Sequence, residues 1–587
     1  MSALQNNRKN WPHATHLAFF IFLLTYLIVL MIGIGWGLPS EDRHRLLTFE
    51  RIISPEEVEL MSSSRQMCAA HHTLSSAMFG GINRGSGENE LLPDFPKECT
   101  DSAELSFRRF LFFGTAQDES RVFHSLSRME PSNLDFHPRR FENGTAYLYP
   151  IGGLLFLAEK FGYVNLTGSV AHALDDPQNI RRIYLIGRLV SVSTFLGTLV
   201  LLFLIGNRFC GARIGLLAAV AYGSFGTVFA LALQTRIHVV AAFWVTLAVY
   251  WLLAYTRTLR FREVILASIA LGIGVGTAIH AALAVSAVIL IVFFSPIELN
   301  KRLGVVCISG LIVIATFAIT NPYSLIDGAG FWFWWSTYLT PPDSGGHGYS
   351  PHSWSIIFSG FKEGLTENIS AARVPFFGAL AAGTFYALVS KDWEWQKLAV
   401  CVIFAVIVAA TIGKASGRFL MFLWPIACLQ MGILINRMLK ELEGNHLAKF
   451  ALLFVLFIPS YSLIAEKVEG LYVHEARKSW LSESIGCLEQ LAIERGQTVG
   501  LFDYPRPNSF PPFPFLGTTL IFSADLEQEL PEFVVVRDLE KDVIPWEANP
   551  IRKLYTRECG MVGAFSPVKG YNEQTISVYR KTPNPSP

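Results

Sequence analysis

At 587 residues, with 51% hydrophobic and 16% charged residues and a mean hydropathy of +0.37, the chain is too apolar and too poor in charge for an ordinary soluble protein. The formal net charge of +1 gives no sign of a nucleic-acid partner, and none is expected. The remaining class is a polytopic α-helical membrane protein, since a hydrocarbon core about 30 Å thick takes roughly 20 apolar helical residues per crossing.

Residues 1 to 16 carry Arg8 and Lys9 and no acid, which predicts a cytoplasmic N-terminus by the positive-inside rule. Leu17 to Trp36 is a charge-free apolar run with no small-residue cleavage site after it, so it reads as a retained first span. Residues 38–182 then form a large exported loop. Within it Glu41 to Met78 reads as helical, Gly80 to Pro96 as a loop, and Ala103 to Phe113 leads into a polar, aromatic stretch from Gln117 to Pro150. Tyr147 to Phe161 is apolar but short and interrupted by Pro150, Gly152 and Gly153, which suits an interfacial helix.

Further spans are predicted at residues 183–205, 214–233, 239–255, 264–279, 281–294, 303–320, 374–390, 398–412, 419–435 and 450–464, making eleven with the first. The connections this places inside are all basic: Arg208 and Arg213, then Arg257, Arg260 and Arg262, then Lys301 and Arg302, then Lys391 and Lys397, then Arg437, Lys440 and Lys449. That regularity puts the C-terminus outside. A second exported loop covers residues 321–373, where Phe331 to Leu339 forms an aromatic patch read as a headgroup anchor. Residues 1–464 thus form the membrane domain, and 465–587 an exported soluble tail. In the tail Glu475 to Glu494 reads as an amphipathic helix, with strands at Thr498 to Phe502, Glu532 to Arg537 and Thr575 to Arg580, a small α/β domain. No internal repeat is evident.

Four cysteines, Cys210, Cys307, Cys401 and Cys428, lie in or beside apolar runs and read as small buried residues. The others fall in the polar segments, Cys68 with Cys99 and Cys487 with Cys559, where one disulfide each, other pairings and free thiols all stay open.

Ionisable residues gather at one end of the predicted spans. The exported turns carry Arg236 and His238, His280, and Lys414 with Arg418, while Arg188 lies one turn inside the second span. The adjacent acids Asp118 and Glu119 face the same compartment. Carboxylates beside cations suit sugar transfer from a lipid phosphate: a carboxylate takes the acceptor's proton, and cations neutralise the departing phosphate. Each residue also has a plainer reading. An Asp-Glu pair in a polar loop is usually solvated, arginines at helix ends snorkel, and a lone histidine is usually a satisfied core residue. Asn143, Asn165 and Asn368 match N-x-S/T at a frequency close to chance.

Taken in order, QDES at 117–120, LDFHP at 134–138, NGTAYLYPIGG at 143–153, YLIGRLVS at 184–191, NPYSLID at 321–327 and GRFLMFLWPI at 417–426 resemble the GT-C superfamily of lipid-phosphate-dependent glycosyltransferases. The likeness is greatest to the family 39 group, which includes protein O-mannosyltransferases and the lipid A aminoarabinose transferase. It implies a GT-C-type bundle that moves a monosaccharide from a polyprenyl- or dolichyl-phosphate carrier to an acceptor on the exported face, with inversion. Asp118 takes the place of the acceptor-activating base, and Glu119 that of its companion. Asp135 and His137 match the downstream loop element, and Arg188 and Arg418 match arginines near the donor phosphate. Arg236 and Lys414 complete the substrate-binding set. His238 and His280 depart from the family pattern, which often has an acid and a lysine there. A divalent metal stays open, with Glu119 and His238 as its candidate ligands. The acceptor, whether protein, lipid or glycan, is not implied, and a bacterial inner membrane is the expected location. The rival class is a transporter or lipid flippase without sugar transfer, which would ordinarily show internal repeats and charges at the midplane.

Overall fold

The computed structural model describes residues 12–41, 44, 53–63, 111–112, 114, 117–339, 374–390, 392–411, 418–457, 497–502, 519–522, 526–537, 546, 550–564 and 573–582. The chain divides into two units, each described by itself. The first comprises Met1–Ile34, Val122–Phe156 and Leu185–Val468, and the second Gly35–Arg121, Leu157–Tyr184 and Glu469–Pro587.

The first unit is helical. Five helices are long and apolar enough to cross a membrane, Ala14–Gly33, Pro177–Cys210, Ile237–Thr258, Leu299–Thr320 and Met421–Glu441, and a sixth crossing results if Ala212–Gly223 and Gly226–Ala232 count as one. The chain is a polytopic helical membrane protein. Its long spans are fewer, among the described residues, than the eleven that the apolar runs predict. The remaining runs are helices too, but shorter: Phe261–Thr277 and Trp393–Thr411, with the apolar pieces Ile279–Phe293, Gly378–Val389 and His446–Phe457.

The first helix shows how the sequence divides its faces. Phe19, Tyr26 and Leu30, at helical spacing, are buried, while Leu17, Phe20, Ile21, Ile28 and Ile32 are exposed, as suits a helix with one side on protein and the other on lipid. Phe19 stacks on Phe203 at 4.1 Å, and Tyr26 packs near Phe195 at 5.9 Å.

Two breaks shape the bundle. Between Gly223 and Gly226 the chain bends by 74°. There the Tyr26 hydroxyl donates to the Gly223 carbonyl at 2.8 Å, satisfying an acceptor that the broken helix leaves free. A Cβ on Gly223 would come to 3.0 Å from the Tyr26 ring, so any larger residue there would press on that ring. The second break follows Thr277: Ala278 is extended (φ −149°), and Ile279–Ala284 is a 3₁₀ turn before the helix Val285–Phe293. The expected boundary near His280 thus falls two residues earlier, and His280 sits in the turn.

In the second unit residues 55–63 are helical. Ser54 and Glu57 form a capping box: the Glu57 amide donates to Ser54 Oγ (3.3 Å) and the Ser54 amide to Glu57 Oε2 (2.9 Å). Met61, Leu111, Phe112 and Val170 make a small core there. A five-stranded sheet lies in the tail, with β1 Thr498–Phe502, β2 Thr519–Phe522, β3 Phe533–Arg537, β4 Tyr555–Ala564 and β5 Glu573–Lys581. The order is β2-β1-β3-β5-β4, with β1 parallel to β2 and β3, and β5 antiparallel to β3 and β4. Three strands lie where the sequence predicts them; β2 and β4 are additional. Leu526, Val534, Val536, Trp546, Tyr555 and Tyr579 form the core of this sheet. The Tyr555 hydroxyl donates to the Pro531 carbonyl at 2.7 Å. The predicted helix at 475–494, Cys68, Cys99, Cys487 and the Cys559 side chain lie outside the description, so the cysteine pairings do too.

Candidate functional site

The acid pair opens the helix Gln117–Leu126. Asp118 occupies its first turn; the side chain of Asp118 lies outside the described residues. Glu119 has no exposed surface at all, and a Cβ on Gly114 would approach its Oε2 to 3.1 Å. A carboxylate so enclosed is not the solvated loop acid that its sequence context first suggests.

In the first unit, three helix ends that are distant in sequence bring imidazoles and guanidiniums together. His238 is the second residue of the helix Ile237–Thr258, and His280 follows the end of Phe261–Thr277. Their Nδ1 and Nε2 atoms are 3.3 Å apart, so the pair shares one proton, one ring donating and the other accepting. Phe419, just before the helix Trp424–Glu441, presents its ring edge-on to both, at 5.5 and 5.6 Å. The Arg418 guanidinium lies 5.0 Å from the Phe419 ring centre. Arg236 and Arg418 both stand within electrostatic reach of His238.

The Arg236 turn is fixed against the helix Pro177–Ile205: its amide donates to Ser191 Oγ at 3.2 Å, and its Nε to Gln234 Oε1 at 3.0 Å. Gly187 allows this approach, since a Cβ there would meet the Thr235 side chain at 2.7 Å. Next to it Arg188 is fully buried and donates from Nη1 to the Ile34 carbonyl at 2.8 Å, capping the C-terminal end of the first helix. Arg188, Arg236, His238, His280 and Arg418 are thus assembled around adjoining helix ends of one unit. Lys414 lies outside the described residues.

A second constellation is built from stretches about 180 residues apart. Asp135 Oδ1 accepts the His137 amide (2.9 Å), and its Oδ2 pairs with Arg139. His137 Nδ1 accepts the Arg139 amide at 2.9 Å, and its Nε2 lies 3.0 Å from Asp327 Oδ2. An Nδ1 that accepts carries no proton, so Nε2–H donates to Asp327 and the ring is the neutral tautomer. Burial lowers the His137 pKa from its ordinary value, with the Asp327 bond pulling the other way. Both ring nitrogens are therefore engaged inside the loop. The Phe136 amide reaches the Tyr323 hydroxyl (3.3 Å), and the Tyr149 hydroxyl donates to the Phe136 carbonyl (3.2 Å). Burial pushes the Tyr149 pKa up to about 12, which keeps that donor protonated.

The two constellations are joined. Asn321 Oδ1 accepts the Thr145 amide at 2.7 Å, the Thr145 hydroxyl donates to the Thr320 carbonyl at 2.6 Å, and the Gly144 amide donates to the Thr277 carbonyl at 3.2 Å, three residues before His280. A Cβ on Gly144 would collide with the Gly276 carbonyl at 1.8 Å. With Thr145 buried and its hydroxyl occupied, the Asn143 glycosylation match is a structural joint.

Asp327, Tyr323, Asn321 and Phe419 are the residues that sequence reasoning left out of its candidate set. The first three stand in the NPYSLID stretch, at the exit of an apolar helix, where polar residues are a usable signal; Phe419 stands beside Arg418 in the GRFLMFLWPI stretch, but an apolar ring there reads as core. Among the described residues no three His, Cys, Asp or Glu side chains group to hold a metal ion.

No protein-family model matches the chain, and a search of curated proteins gives no match. Among solved structures, ArnT from Cupriavidus metallidurans bound to undecaprenyl phosphate is similar at a TM-score of 0.42 and 12% identity, covering 95% of this chain and 97% of that one. The Archaeoglobus fulgidus oligosaccharyltransferase in complex with zinc and sulfate is similar at a TM-score of 0.38 and 11% identity, covering 62% of this chain and 52% of that one. The chain thus matches about half the length of the oligosaccharyltransferase.

Proposed function

We propose that this protein transfers a monosaccharide from a polyprenyl- or dolichyl-phosphate carrier to an acceptor hydroxyl or amine at the membrane surface. The observation that carries the reading is the meeting of His238, His280, Arg236 and Arg418 at adjoining helix ends, with Arg188 buried beside the Arg236 turn. Cations and hydrogen-bonding rings assembled at the ends of apolar helices suit a phosphate whose lipid tail stays in the bilayer. The order of the six quoted motifs supports the same class.

In this mechanism Asp118 takes the proton from the acceptor, the freed electron pair attacks the anomeric carbon, and the bond from that carbon to the phosphate oxygen breaks. The lipid phosphate leaves with that pair, its charge offset by Arg418 and Arg236 with Lys414. A single displacement inverts the anomeric centre. Arg188, one arm held on Ile34, orients the arginine side of the site. Glu119, enclosed beside Asp118 in sequence, positions the base. Asp135 and His137 hold the turn at residues 135–139 in shape through Asp327 and Arg139. The bacterial inner membrane is the proposed location, with the site on the exported face.

The test is the purified protein in proteoliposomes with radiolabelled polyprenyl-phosphate sugars and envelope extract as acceptor. Label leaving the lipid carrier is the expected result. Label that crosses the bilayer still attached to its carrier would instead make the protein a flippase.

A further inference from the structure

After the helix Gln117–Leu126 the chain turns through Ser127 and Arg128 into a tight hairpin. Glu130 and Asp135 exchange both backbone bonds (2.8 and 3.1 Å), and Leu134 is left-handed at φ 56°. Three arginines border this hairpin, and two have carboxylate partners: Arg139 pairs with Asp135, and Arg140 with Glu142 at 3.1 Å. The remaining acids nearby are also engaged, Asp327 by His137 and Glu130 by the Asn133 amide group at 2.8 Å.

Arg128 differs. Its Nη2 is enclosed by protein and has no hydrogen-bond partner, while the residue as a whole is only partly buried. A charged donor left unpaired in an enclosed place is costly, and a bound anion removes the cost. Burial and the like charges of Arg140 and Arg139 lower the Arg128 pKa, as expected where the positive field is not compensated at that point.

The surroundings indicate where the anion comes from. Leu134, Leu325, Ile326 and Trp332 are between 66% and 79% exposed, and Phe136 is 40% exposed. They belong to one locality, because the Phe136 amide bonds the Tyr323 hydroxyl and Arg140 lies over the Trp334 ring at 5.2 Å. Exposed aliphatic and aromatic side chains around a guanidinium are the composition of the headgroup layer, where phosphates meet the first acyl carbons.

We propose that Arg128 anchors a site for the phosphate of an anionic phospholipid headgroup, with Leu134, Phe136, Leu325, Ile326 and Trp332 resting among the acyl chains. The site is separate from the His238 and His280 cluster and does not depend on the sugar-transfer reading. A planar guanidinium binds phosphate in two-pronged fashion, which a lysine does not reproduce.

The test is lipid retention by the full-length protein in native mass spectrometry after delipidation, with phosphatidylglycerol and phosphatidylcholine offered at equal concentration. Wild type retains phosphatidylglycerol preferentially. Arg128→Gln lowers that preference about tenfold, from the loss of a charge-assisted bond, and Arg128→Lys recovers only part of it, with all three proteins eluting alike on size exclusion. Equal retention of the two lipids by wild type, or an unchanged preference in both variants, would overturn the site. A further arm adds inorganic phosphate at millimolar concentration. Complete displacement of phosphatidylglycerol would identify a free-phosphate site and overturn the lipid assignment.

Discussion

His137 has no nitrogen to spare, and that fixes how it responds to pH. The folded ring has a lowered pKa because it is buried, with the Arg139 charge adding to the effect and the Asp327 bond opposing it. The unfolded chain takes up a proton near pH 6.5, while the folded ring resists until lower pH. The stability this residue contributes is therefore constant above about pH 6.5 and declines as pH falls from there toward the folded pKa. The thermal midpoint of the detergent-purified protein should fall between pH 7 and pH 5, and His137→Gln should make that decline shallower. An identical pH slope in the two proteins would show that His137 is not buried neutral. Asp327→Ala removes the acceptor of Nε2–H and should cost about 1–3 kcal/mol, read as a lower thermal midpoint at pH 7.

At the scale of elements, the joint between the two constellations depends on glycines. A Cβ on Gly276 would stand 2.4 Å from Asn321 Nδ2 and 2.5 Å from Thr320 Oγ1. Gly276→Ala should destabilise by about 1–3 kcal/mol through overpacking, visible as a lowered thermal midpoint and reduced membrane yield; a fully stable variant would mean that the two segments can separate freely. Tyr26→Phe, which deletes only the bond to the Gly223 carbonyl, should cost about 0.5–1.5 kcal/mol.

These elements also show what a sequence can and cannot convey. β1, β3 and β5 were legible because they are rich in valine, isoleucine and aromatic residues, alternating with polar ones in β5 and running continuously in β3. β2 is four residues long, and β4, with Glu558, Gly560 and Gly563, lacks that alternation. The helix ends bearing Arg236, His238, His280 and Arg418 could be assigned to one side from the basic connections alone, and in the structure His238, His280 and Arg418 meet around Phe419. The contact of His137 with Asp327 spans 190 positions and leaves no local trace. Burial of Glu119 was hidden for a similar reason, since the loop around it is polar and only the folded chain encloses it.

At the scale of the whole molecule, the described helices expose many apolar side chains, as contact with lipid requires, and in the first unit imidazoles and guanidiniums meet where helices end. That division favours chemistry on a substrate that is itself half lipid, and the central claim is that Asp118 activates the acceptor for attack on a sugar carried by a lipid phosphate. The most direct measurement is single-turnover transfer from a radiolabelled polyprenyl-phosphate sugar, comparing wild type with Asp118→Asn after both are shown to elute and melt alike. The account predicts that the variant retains the donor but transfers about 10²–10⁴-fold more slowly, the contribution expected of a general base. Transfer at the wild-type rate by Asp118→Asn would contradict it.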